Sequence, residues 1–429
     1  MADPNASMYQ LNADSSFHFE ILRALSLSVY DGSDIAEVLT AANNIIPANF
    51  ESFCSAFTAL AENVFSRALR ILSNKLGSKF ASISARTALF SAATYFRSAD
   101  FYLHGNVSDP RIMSLWASQT QAFDQGLALM EYPARRLTIP TPEFDIPAIW
   151  ISPSQPTEHV DAKQVAKRPT LVLGNGYDGC QEEMLHAVGL AALERGYNVL
   201  TYDGPGQPSV RRYQGIGFIP EWERVVTPVV DYLFQHADED GVDTGAIGLL
   251  GLSFGGYLAP RAAAFEHRLA AVMAIDGVYD FGQVARASLG PDLMKLFDAG
   301  DRAQFDKVVM NLTLPGNPTG IRWSIQQGMW AFAADSPFDF VAQMMRYTLR
   351  DVARKITTPT FVGAAEADMF FPGQPEELAK ALGKWGLLYN FTDADYIGTH
   401  SGIGALKQQN AVILDWFQGV LDSKHESIQ

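Results

Sequence analysis

Gly248-Leu249-Leu250-Gly251-Leu252-Ser253-Phe254-Gly255-Gly256 places a serine at the centre of Gly-x-Ser-x-Gly directly after a short apolar run. That is the sequence form of a sharp strand-to-helix turn that lifts a serine hydroxyl above the end of a sheet. The turn leaves almost no room for side chains on either flank, so Gly251 and Gly255 are the residues that permit it. The pattern alone is common, and context gives it weight. Ala246-Ile247-Gly248-Leu249-Leu250 reads as a buried strand, and Tyr257-Leu258-Ala259 with Arg261-Ala262-Ala263-Ala264 reads as the helix that follows. The alternative is a structural serine in a glycine-rich turn.

Outward from this point the chain alternates short apolar runs with helical stretches, which predicts a mostly parallel, doubly wound α/β sheet covered on both faces. The expected strands are 170–173, 198–202, 247–250, 271–275, 360–363 and 387–391. Upstream, the proline-punctuated segment from Pro133 to Pro153 carries 136–139 and 148–151, which read as a hairpin or edge strands. The polar segment from Ser154 to Lys167 reads as a surface loop. Residues 1–132 are helical and strand-poor, with Phe17, Ile21, Leu22 and Leu25 at helical spacing. Within them, the small and aromatic residues from Ala85 to Tyr102 suit close packing, which places those rings in a core. Residues 133–429 form the sheet domain. It is interrupted between Tyr279 and Lys355 by a helical insert with Trp323, Trp330 and Phe332, read as a lid at about 280–355 over the carboxyl ends of the strands, where such sheets bind ligands.

Composition narrows the function classes. Of 429 residues, 48% are hydrophobic and 18% charged, an ordinary globular balance. No apolar run approaches the roughly 20 residues that span a bilayer, and Met1-Ala2-Asp3-Pro4-Asn5 lacks the basic and apolar regions of a secretory signal. With only Cys54 and Cys180, neither a disulfide framework nor a zinc cluster is expected, so a cytosolic setting fits and no metal is anticipated. A net charge of -15 repels phosphate backbones and anionic surfaces, which argues against nucleic-acid or membrane partners and otherwise reads as a solvated surface; the partner expected is a small-molecule substrate.

A serine hydroxyl needs a base, and the base needs an acid to orient it. The order of this fold is Ser, then Asp or Glu, then His. After the strand at 360–363, the turn Ala364-Ala365-Glu366-Ala367-Asp368 offers two carboxylates. Asp368 is favoured over Glu366, because the residue two earlier more often faces away. His400, in Gly398-Thr399-His400-Ser401-Gly402, is the one histidine in a loop between the last strand and the final helix. Two backbone donors must meet a developing oxyanion. Phe254 N–H is one, and the second belongs to the loop Gly174-Asn175-Gly176-Tyr177-Asp178-Gly179, with Tyr177 N–H first and Gly176 next. Asp178 beside that loop must be protonated, paired or turned away, or else it caps the helix expected from Gln181 to Arg195. Asp203, in Tyr202-Asp203-Gly204-Pro205-Gly206-Gln207, reads as a turn residue, and Arg211 and Arg212 as surface cations or carboxylate partners.

With the elbow, the Tyr202–Gln207 turn, the Gly176–Gly179 loop and the Ala85–Phe101 helix in one order, the chain resembles a branch of the α/β-hydrolase superfamily. That branch has a helical N-terminal domain. It includes 2,6-dihydropseudooxynicotine hydrolase, fungal hydrolases that shorten pigment polyketides, and hydrolases of fusarin-type and cytochalasan-type biosynthesis. Gln207-Pro208-Ser209-Val210-Arg211-Arg212 is most similar to the fusarin-type members, and Pro208-Ser209-Val210 stand where the branch usually has a glycine-rich continuation. The resemblance, from about Ser16 to Leu421, implies the α/β-hydrolase fold, a triad of Ser253, Asp368 and His400, oxyanion donors at Phe254 and the Gly176–Tyr177 loop, and no cofactor. It further implies a pocket between the helical domain and the sheet, a homodimer, and an auxiliary acid at Asp178 in carbon–carbon-bond members.

Three readings follow. The first is a serine hydrolase of an ester, thioester or activated carbon–carbon bond in a bulky polyketide or polyketide–amino-acid intermediate. The second is a cyclase or acyltransferase on the same fold, favoured by a dry aromatic lid. The third is a non-catalytic binding protein, disfavoured because all three triad residues are retained.

Overall fold

The computed structural model describes residues 8–74, 80–153 and 166–426. The surface-loop segment expected at 154–167 therefore lies, through residue 165, outside the described residues. The chain divides into two compact units, Met1–Glu131 with Lys307–Trp330, and Tyr132–Asp306 with Ala331–Gln429.

The second unit is built on eight strands: β1 Ala134–Pro140, β2 Asp145–Ile151, β3 Arg168–Gly174, β4 Asn198–Tyr202, β5 Val242–Leu252, β6 Ala271–Ile275, β7 Thr360–Ala365 and β8 Gly386–Phe391. They lie in the order β1-β2-β4-β3-β5-β6-β7-β8. β1 and β2 form the antiparallel hairpin expected of the proline-punctuated segment, β2 meets β4 antiparallel, and every pair from β4 to β8 is parallel. Every residue of β4 and β6 is buried, as strands covered on both faces require. Gly248 in β5 is obligatory, since a methyl there would come within 2.7 Å of the Phe417 ring, which the last helix, Leu406–Glu426, lays against the sheet.

Register decides where the chemistry gathers. Gly174 pairs with Gly251, Leu252 with Ile275, and Ile275 with Gly363, so β3, β5, β6 and β7 end side by side. The chain runs from β3 outward to β4 and then returns to the other side of β3 as β5. This is the reversal of strand order at which open α/β sheets bind ligands.

The turn after β4 does more than reverse the chain. Asp203, fully buried, accepts the N–H of Gln181 through Oδ1 at 2.9 Å and that of Ser209 through Oδ2 at 3.0 Å. It therefore caps two helices, Gln181–Met184 and Pro208–Gln214, and satisfies N–H groups their first turns leave open. The Gln181 cap considered for Asp178 thus belongs to Asp203, which reaches it across 22 positions of sequence.

The insert expected between Tyr279 and Lys355 is helical: Phe281–Asp298, Arg302–Leu312, Thr319–Ala331 and Pro337–Met344. Gly290, at φ 75° and followed by Pro291, breaks the first of these. Residues 307–330 of the insert group with the helical unit, the remainder with the sheet.

The helical unit is assembled from Ser15–Ser26, Ile35–Ala42, Phe50–Ser73, Ala81–Asp100 and Arg111–Leu127. Asp14, Asp34 and Asn49 cap the first three by accepting main-chain N–H groups. Phe90, Tyr95, Phe96, Phe101 and Tyr102 are all buried, as the small-and-aromatic pattern anticipates. Trp323 stacks on Phe101 with centroids 4.9 Å apart, and Trp330 stacks on His104 at 3.9 Å.

Asp203→Ala leaves two helix starts uncapped in a buried place, so the free energy of unfolding in urea should fall by about 2 kcal/mol, two caps at their usual worth. A loss below roughly 0.5 kcal/mol, the range of an ordinary surface change, would show that the double cap carries no stability.

Candidate active site

Ser253 leaves β5 with φ 58°, a left-handed backbone that a residue with a Cβ adopts at a cost of roughly 1–2 kcal/mol. The glycines around it are steric necessities. A methyl on Gly251 would lie 2.1 Å from the Gly255 carbonyl oxygen, and one on Gly256 would lie 2.7 Å from the oxygen of Asp276. Phe254 N–H opens the following helix and finds no acceptor among the described residues. Facing it, Gly176 is packed so closely that an added Cβ would sit 2.8 Å from Phe254 N and 3.0 Å from Ser253 Cβ.

His400 brings Nε2 to 2.8 Å from Ser253 Oγ. Its other nitrogen, Nδ1, stands 2.9 Å from Asp368 Oδ2. Of the two carboxylates weighed after β7, Asp368 reaches the imidazole, while Glu366 accepts the N–H of Asp393 at 2.8 Å. Asp368 is anchored through Oδ1, which accepts the N–H groups of Phe370 at 2.7 Å and Phe371 at 3.2 Å.

A second carboxylate, absent from the reading of the sequence, meets the same nitrogen. Asp276, directly after β6, puts Oδ2 at 3.3 Å from His400 Nδ1, and that oxygen also accepts the N–H and the hydroxyl of Ser401, each at 2.7 Å. It is fully buried and, like Ser253, has φ 58°. The sequence signal was an apolar strand ending in an acid, Ala271 to Asp276, on the strand beside β5. Asp276-Gly277 reads as an ordinary turn until the register is known.

Charge follows from this arrangement. Burial on its own lowers the imidazole's pKa, and Asp276 and then Asp368 more than reverse it, so that His400 is pushed up to about 9, with Asp178 acting in the same sense. Burial raises Asp276, against the pull of His400 and Ser401. For Asp368 burial also raises, but His400 and the two N–H groups prevail and hold it below the usual carboxylate range. Donor atoms of Asp276, Asp368 and His400 lie within 4.8 Å of one another, the spacing of a metal site. Here the carboxylates are engaged by the imidazole, Ser401 and the backbone, and Nε2 by Ser253.

The other residues singled out by sequence fall as follows. Gly176 N–H is turned to Asn175 Oδ1 at 2.7 Å, which leaves Tyr177 N–H as the candidate second donor of that loop. Asp178 is half-buried and felt electrostatically at His400. Arg211 donates to the Gly215 carbonyl at 3.2 Å and Arg212 to that of Pro208 at 3.4 Å, both within or just beyond their own helix. Phe254 is ringed by aromatics, with Phe281 at 4.5 Å, Tyr347 at 5.4 Å and Phe218 at 5.5 Å between centroids. Phe370 lies 4.7 Å from the His400 ring. Of the three insert aromatics expected in a lid, Phe332 belongs to this cluster, 5.1 Å from Phe218, whereas Trp323 and Trp330 pack within the helical unit.

Known proteins agree with this architecture. The profile of the alpha/beta hydrolase family matches residues 171–400. The chain is 31% identical to hydrolase acrC of Aspergillus aculeatus, over 88% of its own length and 89% of that protein. It is 30% identical to the 20-hydroxy-prefusarin hydrolase FUS2 of Gibberella moniliformis, over 85% of each. Among solved structures, 2,6-dihydroxy-pseudo-oxynicotine hydrolase superposes with a TM-score of 0.69 at 21% identity, covering 93% of this chain and 96% of that one. Strand order, elbow and sequence kinship lead to one conclusion: the chain belongs to the alpha/beta hydrolase family.

Proposed function

We propose that this protein is a serine-dependent hydrolase of an ester, thioester or activated carbon–carbon bond in a bulky polyketide or polyketide–amino-acid intermediate. The observation that carries the chemistry is the continuous relay from Ser253 Oγ through His400 to Asp368, with contacts of 2.8 and 2.9 Å. The substrate class rests on kinship with fungal hydrolases, one of them named for 20-hydroxy-prefusarin. In this reading the enzyme also works in the cytosol, in keeping with a chain of only two cysteines, and as a homodimer, as the resemblance to its branch implies.

In this mechanism Ser253 Oγ attacks the carbonyl carbon as its proton passes to His400 Nε2. The carbonyl electron pair moves onto oxygen, where Phe254 N–H and Tyr177 N–H receive it. Asp368 fixes the imidazole so that Nε2 faces the hydroxyl, and both carboxylates stabilise the imidazolium. Collapse of the adduct breaks the bond to the leaving group, which takes the proton from His400. Water, deprotonated by the same nitrogen, then releases the acyl group and restores Ser253.

The paired carboxylates favour the carbon–carbon variant within this scheme. There the departing electron pair becomes a carbanion, stabilised as an enolate, and it must be protonated as the bond breaks. An imidazolium held by Asp276 and Asp368, with Asp178 adding negative potential, keeps its proton until a base as strong as the departing carbanion forms beside it. Cyclisation or acyl transfer would follow the same first steps with an internal nucleophile in place of water. The insert, through Phe281, Phe332 and Tyr347 around Phe254, acts in this reading as a lid that limits water.

Three tests address this reading. A fluorophosphonate probe should label the native protein at Ser253, and Ser253→Ala should abolish labelling while preserving the thermal unfolding midpoint. Labelling that persists in the variant excludes Ser253 as nucleophile.

The pH dependence carries a definite sign. Only the neutral imidazole accepts the serine proton, and its pKa is raised to about 9, so the labelling rate should climb with pH through that region rather than near 6.5. Asp276→Asn removes one anion that favours the protonated ring and should move this limb to lower pH. A limb that stays in place would remove Asp276 from the electrostatics of the base.

Turnover of a 1,3-diketone or ester polyketide surrogate in heavy-oxygen water should place one labelled oxygen in the carboxylate product. Unlabelled product would identify an internal acceptor and the cyclase or transferase alternative.

A further inference from the structure

The turn after β4 ends in Gln207, a residue that the mechanism above does not use. Its side chain is fully buried and hydrogen-bonded at both ends. Oε1 accepts the N–H of Gly204 at 2.8 Å, which fixes the amide within its own turn. Nε2 reaches across to the loop after β3 and donates to the carbonyl of Asn175 at 2.8 Å and to that of Gly176 at 3.3 Å.

Those two carbonyls belong to the peptide groups that orient the oxyanion loop. In a planar trans peptide the C=O and N–H vectors point in opposite directions, and the described chain contains no cis bond. Holding the Gly176 carbonyl toward Gln207 therefore turns the N–H of the same peptide group, that of Tyr177, the opposite way. The preceding peptide is held by the same amide through the Asn175 carbonyl, and its N–H, on Gly176, is taken by Asn175 Oδ1. Gln207 thus sets the direction of the second donor from behind, without approaching the reacting atoms.

The turn is shaped for this reach. A methyl on Gly204 would lie 2.5 Å from the Trp222 ring, and one on Gly206, at φ 83°, would lie 2.3 Å from that of Phe218. Gly206 also donates its N–H to Ile216 at 3.1 Å. Glycine at both places lets the turn sink beneath these aromatics, so that Gln207 enters the interior as the chain starts its next helix.

We propose that Gln207 is the positioning residue of the oxyanion site: its amide locks the Asn175–Gly176–Tyr177 backbone so that Tyr177 N–H is presented to the developing negative charge. This rests on Ser253 being the nucleophile. A loop free to rotate about the Gly176–Tyr177 peptide would lose a donor that matters in the transition state far more than in the ground state.

The test uses the full chain and a fluorophosphonate probe, whose attack by Ser253 also builds negative charge on oxygen. Gln207→Met keeps length and volume but removes both hydrogen-bonding ends, and Gln207→Glu replaces the donor with an acceptor. Both should lower the maximal labelling rate by roughly tenfold or more, up to the roughly hundredfold to thousandfold of a full oxyanion donor lost, while the half-saturating probe concentration changes less than about threefold. Unchanged maximal rates in both variants overturn the proposal. So does a slowing matched by an equal loss of probe affinity, or loss of the thermal unfolding transition in both, since either makes Gln207 part of the scaffold alone. Wild-type protein that takes no label, or labels equally as Ser253→Ala, defeats the nucleophile instead, so the two failures are told apart.

Discussion

One imidazole under opposed demands organises the second unit. His400 is buried, with Phe370 and Phe371 against its ring, and such surroundings disfavour a charge. Asp276 and Asp368 both touch Nδ1 and favour one. The carboxylates prevail, because a charge interaction at hydrogen-bond distance strengthens as water is excluded. Two carboxylates this near each other repel unless a cation or a proton lies between them, so the imidazole is as necessary to them as they are to it. Parallel register makes the encounter possible, by ending β6 and β7 next to each other and next to β5.

Backbone strain gathers at the same place. Among the described residues with side chains and positive φ, Ser253, Asp276 and Ser401 are linked through His400 and the Asp276 carboxylate. Such conformations cost roughly 1–3 kcal/mol each and persist where surrounding contacts over-determine them. Here the contacts are visible. Gly256 N–H donates to the Ser253 carbonyl at 2.7 Å, Val278 N–H donates to that of Gly256 at 3.2 Å, and Gly256 itself lies against the Asp276 carbonyl. The elbow and the turn after β6 thus brace each other, and neither can relax without moving the other.

Much of this was legible in the chain. The central strands β3 to β7 are visible as short apolar runs, because buried parallel strands cannot hide their composition, while β1 and β2 show through the prolines that punctuate their hairpin. Ser253 and His400 are marked by their positions, one in the elbow and one in a loop after the last strand. Asp276 was hidden for a physical reason. An acid followed by glycine at a strand end is chemically the same string whether it closes a turn or faces an imidazole 124 residues later, and only strand order separates the two. Asp203 escaped similarly, since a cap whose helix begins 22 residues upstream leaves no local signature. The insert was readable as helix but not in its allegiance. Trp323 and Trp330 find Phe101 and His104 more than 200 residues away, and spacing along one helix does not encode such partners.

The stretch that follows Gln207, Pro208-Ser209-Val210, has a local explanation. Pro208 is the first residue of the helix Pro208–Gln214, where a missing N–H costs nothing and a fixed φ is already correct. The next N–H, on Ser209, is the one that Asp203 accepts. Val210 is fully buried and adds to the core. These residues set how a helix begins, one residue beyond Gln207, and take no part in the bonds from that side chain to Gly204, Asn175 and Gly176. Capping and packing account for these three residues, while Gln207 before them is tied to the loop after β3. The two halves of this turn thus answer to different parts of the structure, its exit to a helix start through Asp203 and its centre to the loop after β3 through Gln207.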